Sequence, residues 1–342
     1  MNVAASAIAA FAVEIAEASA ALGHRVVVDQ AEVADRGAFL DLRAPGVWSP
    51  NRGCRMVRAA DGWIAANLPR ESDRALVPAW LGRRIEGDPW RAILAAARWT
   101  PGRALVERAR LLGLPVAGVG EIRKASPDAL LHRLASGGAP RRVERLAVVD
   151  LSAMWAGPLC GSVLAAAGMA VTKVESPGRP DALREASPPF FERLNGAKTH
   201  AALDFADPAG RARLGEMMAA ADVVITSARP RAFDQLGLAP ETLFARNPRL
   251  TWVAISGYGW RGGKADRVAF GDDAAAAGGL VRWTAGGAPR FVGDALADPL
   301  TGLAAAAGAL KAVRRGGGFL VDAGLALTAA GVAARSGLRD AA

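Results

Sequence analysis

The sequence is poor in the residues on which metal and redox chemistry depend. Its two cysteines, Cys54 and Cys160, are about a hundred residues apart, and neither belongs to a CxxC pair or a histidine cluster. The three histidines, His24, His132 and His200, are equally scattered. This scarcity excludes a disulfide-stapled fold and a zinc finger or ribbon. It predicts a chain without a metal site and a reducing, cytoplasmic setting.

Nucleotide and hydrolase signatures are missing as well. Gly118-Val119-Gly120 lacks the third glycine of a dinucleotide fingerprint, and no GxxxxGK[ST], GxSxG or HExxH occurs. The chain therefore offers no Walker-type phosphate loop and no nucleophile elbow. A lone histidine is more often structural than catalytic, so His/Asp hydrolase chemistry has no evident residues either.

Long uninterrupted apolar runs are also lacking. Residues 4–22 are apolar, but Glu14 and Glu17 interrupt them at helical spacing, and no basic segment precedes them. This pattern predicts a core or amphipathic helix rather than a signal peptide or a membrane span. We therefore expect no membrane partner.

What the sequence does contain is apolar residues and arginine. Of its 342 residues 51% are hydrophobic, and the net charge of +9 comes from 37 arginines with only five lysines. This length predicts two domains with a large core. Arginine suits bidentate contacts to phosphate and carboxylate, so the composition is compatible with an anionic ligand. The arginines are scattered rather than gathered in one tract, which disfavours nucleic acid as a partner.

The chain divides near residue 140, where Ser136–Arg142 has the composition of a linker. Residues 1–140 predict a smaller α+β domain that begins with an alanine-rich helix. Arg25–Asp29 is a strand candidate, and Asp61-Gly62 between two apolar runs indicates a β-hairpin. Helices are expected at about 72–82, 89–98 and 102–112.

Residues 141–342 alternate short apolar strands with helices of 10–15 residues, which predicts a Rossmann-like, parallel α/β domain. The expected strands are 146–151, 170–175, 201–205, 222–226, 250–256 and 319–322. The expected helices are 157–168, 208–220, 271–280 and 299–313, followed by a last one.

Two carboxylates, Asp294 and Asp298, stand in apolar surroundings just before an alanine-rich helix. The simplest interpretation of Asp298 is a helix N-cap, because Pro299 follows it at the first helical position. The same place also suits a nucleophile, since backbone N–H groups at a helix N-terminus keep a carboxylate ionised. The local sequence leaves both open.

A set of motifs runs in one order through the second part of the chain. They are Val149-Asp150-Leu151-Ser152 with Ala156-Gly157-Pro158, Ala167 to Glu175, Asn195 with Lys198, Ala201 with Leu203-Asp204, Ala221 to Ile225, Arg229-Pro230, Leu236-Gly237-Leu238, Asn247 to Leu250, Ile255 to Gly259, and Ala297-Asp298 with Thr301-Gly302. Over residues 146–334 they resemble the family III CoA-transferases, the group that includes formyl-CoA transferase, carnitine CoA-transferase and α-methylacyl-CoA racemase. The resemblance covers more than half of the chain.

The resemblance implies an acyl-CoA:carboxylate CoA-transferase. In such enzymes an aspartate takes the acyl group from a CoA thioester as a mixed anhydride, and the CoA thiolate then converts it to an aspartyl-CoA thioester. The family places that aspartate in a D-x-x-T-G context, which is Asp298 to Gly302 in this sequence. The resemblance thus favours Asp298 as nucleophile and leaves Asp294 a structural role. Coenzyme A, as acyl-CoA, and a carboxylic acid are the implied substrates.

The family's CoA site carries over loosely, to residues beside strand ends, where α/β sheets bind ligands. The candidates are Trp155, Ala156, Gly157 and Pro158 after the first strand, Lys173 and Glu175 at the end of the second, Arg179 and Arg184 beyond it, Arg229 after strand 222–226, and Arg249 at the start of the next. Arginines there match the phosphates of CoA. Trp155, Trp252, Trp260 and Trp283 could line the acyl pocket, although tryptophan is more often a core residue.

Two departures from the family leave alternatives. Arg58–Ala65 and Leu111–Ala117 resemble the family's smaller domain but precede the catalytic motif, so the order looks permuted, or the chain is the back end of a longer, duplicated transferase. A homodimer is expected, but the family's interlocked topology is in doubt. Gly271-Asp272-Asp273 has Asp where the racemases have His, which ranks racemase or isomerase activity below transfer. A non-catalytic CoA-binding subunit is the remaining alternative.

Overall fold

The computed structural model describes residues 3–123 and 130–338. Contacts group the chain into two units. The sheet unit comprises Met1–Phe39, Asp128–Asp266 and Pro299–Gly324, and the hairpin unit comprises Leu40–Pro127, Arg267–Asp298 and Leu325–Ala342. Both units are discontinuous in sequence, and the contiguous division at residue 140 stays a prediction.

The regular elements are numbered along the chain. The strands are β1 Cys54–Ala59, β2 Gly62–Asn67, β3 Val116–Gly118, β4 Leu130–Arg133, β5 Ala147–Asp150, β6 Ala170–Glu175, β7 Thr199–Ala202, β8 Val223–Thr226, β9 Thr251–Ser256, β10 Val281–Trp283, β11 Pro289–Phe291 and β12 Phe319–Gly324. The helices are α1 Val3–Ala20, α2 Glu71–Ala75, α3 Val77–Leu81, α4 Pro89–Ala97, α5 Gly102–Leu111, α6 Ala156–Ala166, α7 Leu183–Ala186, α8 Pro188–Asn195, α9 Pro208–Ala220, α10 Pro230–Leu236, α11 Pro240–Arg246, α12 Gly271–Ala277, α13 Ala297–Arg314 and α14 Leu325–Arg335.

The sheet unit is built on a seven-stranded sheet in the order β4-β12-β9-β8-β5-β6-β7. β4 is antiparallel to β12, and every other pair in the sheet is parallel. The chain moves outward from β5 through β6 to β7, and then from β8 through β9 to β12 on the other side. This is the doubly wound order, with its switch point between β5 and β8. The predicted α/β class with a Rossmann-like sheet is confirmed.

The core of the sheet unit explains why its strands are continuous apolar runs. β8 is buried along its whole length, and Trp252 of β9 is fully buried with its ring edge against Phe233, at 5.1 Å between ring centroids. The Trp252 Nε1–H donates to Thr226 Oγ1 at 3.2 Å, so its one polar atom is satisfied. Trp260 joins the same cluster. These two tryptophans are therefore core residues.

The hairpin unit contains the predicted β-hairpin. β1 and β2 are antiparallel, with Ala59 opposite Gly62 across the Ala60-Asp61 turn, and β3 pairs with β2. Fully buried Val77, Trp80 and Ile93 belong to α3 and α4, and they pack on the apolar face of this sheet. The helix predicted at 72–82 is two short helices, α2 and α3, separated at Leu76. Pro78 supplies no N–H for a continuous helical ladder there.

Some expectations from the sequence were wrong. Arg25–Asp29 is not a strand: Val26 is buried and its N–H donates to Ser19 Oγ at 2.9 Å, whereas Val27 is 85% exposed. The strand expected at 201–205 lies earlier, as β7. Of the described helices, α1 alone is long and apolar enough by composition to cross a membrane, and half of it is buried within the protein.

Candidate functional site

Asp298 lies in the hairpin unit, in the first turn of α13. The helix begins one residue earlier, at Ala297, so Asp298 is inside the turn rather than its N-cap. Its backbone N–H donates to the Ala295 carbonyl oxygen at 2.9 Å, and its side chain is half-buried. A carboxylate at this place is stabilised by the positive end of the helix dipole, as the sequence analysis expected.

Gly271, the first residue of α12, lies directly beside the Asp298 carboxylate. A Cβ at position 271 would overlap Asp298 Oδ2 and the Ala295 carbonyl oxygen. Only glycine lets the start of α12 approach the start of α13 this closely. The position of the Asp298 carboxylate is therefore limited by backbone, not by a mobile side chain.

Three further carboxylates, Asp272, Asp273 and Asp294, are buried in the same unit. The amide nitrogen of Asn51 donates to Asp272 Oδ2 at 2.9 Å and to Asp294 Oδ1 at 3.2 Å. Asn67 donates to Asp273 Oδ1 at 2.8 Å. We call Asp272, Asp273 and Asp294, with the two asparagines, the carboxylate cluster. Its asparagines had no signal in the sequence, since their partners lie more than two hundred positions away.

Burial perturbs the titration of one carboxylate, Asp273, and of the neighbouring Cys54. It raises the pKa of Asp273 to about 7, against hydrogen bonds from Asn67 and from the Phe270 backbone N–H, and the charge of Asp272 adds to the rise. Burial also raises the pKa of the Cys54 thiol, and the charges of Asp272 and Asp273 raise it further. Asp273 thus holds a proton near neutral pH, while Cys54 stays an inert thiol.

The raised pKa of Asp273 predicts a pH-dependent stability. The folded chain keeps this proton up to about pH 7, but the unfolded chain releases it near pH 4, so stability present below pH 4 is lost as the pH rises to about 7. From pH 5 to pH 7 the folded chain holds a proton that the unfolded chain has released, and these two pH units correspond to a loss of about 3 kcal/mol in the free energy of unfolding. We expect wild type to lose about that much relative to Asp273→Asn between pH 5 and pH 8. Denaturant midpoints of both proteins test this, and a difference that does not change with pH would contradict it.

In the sheet unit, a buried ion pair holds the turn between β5 and α6. Lys198 Nζ lies 2.8 Å from Asp150 Oδ2, and both side chains are fully buried. The ammonium also donates to the Pro158 carbonyl at 2.9 Å and to Asn195 Oδ1 at 2.8 Å. The Ser152 hydroxyl and backbone N–H donate to Asp150 Oδ1. Every donor of this lysine is used inside the protein.

A second buried lysine supports the same turn from the other side. Lys173 Nζ donates to the Ser152 carbonyl at 2.8 Å and pairs with Asp181 at 3.2 Å. Asp181 also accepts from the backbone N–H of Met154, which has a left-handed φ of 71°. Since Lys173 is fully buried and bonded to these protein groups, its place is in the scaffold of the turn rather than on a ligand surface.

Glu175 and Arg184 also bond to each other. Arg184 Nη2 lies 2.5 Å from Glu175 Oε2, and the Arg184 guanidinium lies 4.1 Å from the Phe191 ring centroid. Burial raises the pKa of Glu175, but hydrogen bonds from Arg184 and the Asp181 backbone, with the charges of Lys173 and Arg184, outweigh it, and that pKa is lowered overall. Glu175 is therefore ionised at neutral pH, and Arg184 keeps 40% of its side chain exposed.

Trp155 precedes α6 and is 2% exposed. The Arg36 guanidinium lies 4.5 Å from the centroid of its ring, and Phe190 packs edge-on at 5.3 Å. Its Nε1 has no hydrogen-bond partner among the described residues. The next residues, Ala156, Gly157 and Pro158, form the buried start of α6. This turn is therefore preformed.

The remaining predicted arginines fall at two opposite edges of the sheet. Arg229 follows β8, and the Ala153 N–H donates to Ser227 Oγ at 3.0 Å across the switch point. Exposed Arg179 follows β6 at the same carboxyl edge. Arg249, however, precedes β9, so it lies at the amino edge, where it donates to the Ala139 carbonyl at 2.5 Å. The rule that ligands bind at carboxyl ends of strands does not apply to Arg249.

The structure thus groups Trp155 to Pro158, Arg179, Arg184 and Arg229 around the carboxyl edge of the sheet unit. Asp298 and the carboxylate cluster belong to the hairpin unit. Within residues 3–123 and 130–338, no group of three or more His, Cys, Asp or Glu residues has the arrangement of a metal site.

The comparisons with known proteins agree on one family. Residues 144–340 match CoA-transferase family III. The chain is 34% identical over 199 residues to succinyl-CoA–D-citramalate CoA-transferase of Chloroflexus aurantiacus, covering 54% of this chain and 50% of that one. It is 32% identical over 196 residues to succinyl-CoA:glutarate CoA-transferase of Mus musculus, covering 54% and 45%.

A solved structure gives the same result for the fold. A CAIB/BAIF family protein from Brucella suis superimposes with a TM-score of 0.53 and 31% sequence identity, covering 58% of this chain and 57% of that one. The chain spans about half the length of the curated relatives it matches.

Proposed function

Because the chain belongs to CoA-transferase family III, we propose that it moves CoA from an acyl-CoA thioester to a carboxylic acid, with Asp298 as the nucleophile. The observation that carries this proposal is the placement of Asp298. It is a half-buried carboxylate in the first turn of a long buried helix, pressed against the backbone of Gly271. A nucleophile needs a carboxylate that is held in place, and the N-terminal end of a helix favours its ionised form.

The proposed reaction has two balanced halves. A carboxylate oxygen of Asp298 attacks the thioester carbonyl, the C–S bond breaks, and an acyl-aspartyl anhydride and CoA thiolate result. The thiolate then attacks the Asp298 carbonyl of that anhydride, which releases the donor acid and leaves aspartyl-CoA thioester. The acceptor carboxylate repeats these steps in reverse and leaves as its CoA thioester. No oxidant, reductant or metal is consumed.

The residues at the carboxyl edge of the sheet unit suit the phosphates of CoA. Arg179 is exposed, Arg184 is partly exposed, and Arg229 follows β8 at the switch point. These guanidinium groups can form bidentate bonds to phosphate. The preformed turn from Trp155 to Pro158 adds backbone beside the same edge. Lys173 and Lys198 do not take this role, since they hold the turn itself.

Trapping the intermediate tests the proposal. The chain is incubated with an acyl-CoA, hydroxylamine is added, and the digest is analysed by mass spectrometry. We expect a hydroxamate on the peptide that carries Asp298. Succinyl-CoA is the first donor to try, because two similar proteins are named succinyl-CoA transferases. Asp207, which also precedes a proline at a helix start, serves as internal control and should stay unmodified.

An acyl-CoA racemase or isomerase is the second candidate, and one observation favours it. Burial raises the pKa of Asp273 to about 7, which is the range of a general base. Against it, Asp273 is fully buried and accepts hydrogen bonds from Asn67 and the Phe270 N–H. Incubation in deuterated water without an acceptor acid separates the two functions. Deuterium at the α-carbon would favour the racemase. No exchange under these conditions, with transfer once an acceptor acid is added, would favour our proposal.

We further propose that the protein works as a cytoplasmic homodimer. The support is the family membership and the two lone cysteines, both of which are buried and free. Light scattering of the purified chain and fractionation of cells test these two statements separately.

A further inference from the structure

Asp272 is connected to Asp298 by two hydrogen bonds that pass through the backbone of a single residue, Ala295. Asp272 Oδ1 accepts the Ala295 N–H at 2.8 Å, and the Ala295 carbonyl accepts the Asp298 N–H at 2.9 Å. Ala295 has a φ of 44°, in the left-handed region. An alanine stays in this region only when its surroundings hold it there. Asp272 provides one of the bonds that hold it.

Asp272 is itself fixed. It is 3% exposed, and its second oxygen, Oδ2, accepts from the Asn51 amide at 2.9 Å. The orientation of that amide follows from its other end, because Asn51 Oδ1 accepts the Gly53 N–H at 2.8 Å and the Ser49 hydroxyl at 2.9 Å. The Asn51 Nδ2 must then face the carboxylates. Both oxygens of Asp272 are therefore bonded, one to Ala295 and the other to an amide of fixed orientation.

The same segment touches the Asp298 carboxylate directly. Gly271, the residue before Asp272, lies against Asp298 Oδ2 and the Ala295 carbonyl. The start of α12 thus supports the beginning of α13 in two ways. Gly271 approaches the Asp298 carboxylate, and the Asp272 carboxylate bonds Ala295, two residues before the helix. A shift of Asp272 would move the wall beside the nucleophile and the turn that carries it.

We propose that Asp272 is a positioning residue, which holds Ala295 and through it the first turn of α13 so that the Asp298 carboxylate faces the thioester. This inference rests on the proposed function of Asp298. It assigns Asp272 a role in geometry and none in proton transfer. The position therefore tolerates a neutral side chain that still accepts the Ala295 N–H, but not one that lacks the acceptor.

The test compares Asp272→Ala with Asp272→Asn in the full chain. In Asp272→Ala, hydrogen exchange of the peptide over residues 293–299 should accelerate, because the Ala295 N–H loses its acceptor. The rate of hydroxamate formation on Asp298, and kcat, should fall by roughly a hundredfold, as for a misplaced reacting group. KM for acyl-CoA should change less than about threefold, since no CoA contact is removed. Asp272→Asn keeps an acceptor oxygen for the Ala295 N–H but sets its NH2 group against that of Asn51, so it should recover part of the rate.

Asp73→Asn is the matched control, because Asp73 is also a buried carboxylate that accepts a backbone N–H in the hairpin unit, from Arg70. It should leave kcat unchanged. The inference is overturned if Asp272→Ala keeps the wild-type rate, if Asp73→Asn loses as much, or if the loss lies in KM alone. If Asp272→Ala does not fold, Asn51→Ala takes its place. It removes the bond that orients the Asp272 carboxylate but leaves the acceptor of the Ala295 N–H, so kcat should fall by less than in Asp272→Ala, and an unchanged kcat overturns the inference. Absence of the hydroxamate in wild type defeats the proposed function instead.

Discussion

Replacing Asp298 by alanine should lower the rate of CoA transfer by about four orders of magnitude or more, the usual result of removing a covalent nucleophile. Asp298→Asn should be as severe, because an amide oxygen does not attack a thioester at a useful rate. The half-buried carboxylate sits against backbone at Gly271, and neither variant supplies another carboxylate at this place. Steady-state transfer between an acyl-CoA and an acid measures the loss.

The control for this prediction is Asp207→Asn. Asp207 precedes Pro208 at the start of α9, and its side chain accepts the Gly210 N–H at 3.1 Å. It is thus the helix cap that Asp298 could have been from local sequence. This variant should keep the wild-type rate and lose about 1 kcal/mol of stability or less. Comparable activity of Asp298→Ala and Asp207→Asn would exclude Asp298 as the nucleophile.

Replacing Lys198 by methionine should destabilise the protein by about 3 to 5 kcal/mol. The substitution leaves Asp150 buried with no cation, and it removes three donors from the turn between β5 and α6. Burial lowers the pKa of Lys198 while the charge of Asp150 raises it, and the pKa is lowered overall. The pair is closely packed in the wild type, where a Cβ at Gly161 would crowd both Lys198 Nζ and Asp150 Oδ2. Denaturant midpoints measure the effect.

Two comparisons show whether the buried pair is responsible. The double variant Asp150→Leu with Lys198→Met should recover part of the stability, since it buries no unpaired charge. Removal of an exposed pair by Arg43→Ala should cost less than about 1 kcal/mol, because Arg43 and Asp41 are 64% and 83% exposed. Equal losses for Lys198→Met and Arg43→Ala would contradict the prediction.

The centre of the sheet could be predicted because β8, β9 and β12 are buried on both faces and so appear as continuous apolar runs. The edge strand β4 is largely exposed and was not predicted. Apolar composition misled at Arg25–Asp29. That segment has valines in sequence but pairs with no strand of the described residues, and its Val26 N–H bonds to a serine side chain instead. A local sequence pattern shows how apolar a segment is, but strand pairing depends on whether another strand lies beside it in the fold.

The candidate site could be predicted only where its chemistry is local. Asp298 and the helix behind it are adjacent in sequence, so the position in the first turn could be expected. Lys173 and Glu175 could be located at a strand end. Lys173 forms an ion pair with Asp181, eight residues later, and Glu175 forms one with Arg184, nine residues later. These pairs leave neither charge available to a ligand. Such short-range acid–base pairs are a signal that could have been used. Asn51 gives no such signal.

The carboxylate cluster also constrains when the protein can become functional during folding. Its hydrogen bonds join Asn51 to Asp272 and Asp294, across 221 and 243 positions, and Asn67 to Asp273 across 206. Closing loops of that length costs chain entropy before any bond repays it, and such contacts form slowly. The hairpin of β1 and β2 joins neighbouring residues and can pair early, whereas we expect the asparagine–carboxylate bonds of the cluster to form late. A newly made chain would therefore reach native secondary structure well before it could trap an acyl group.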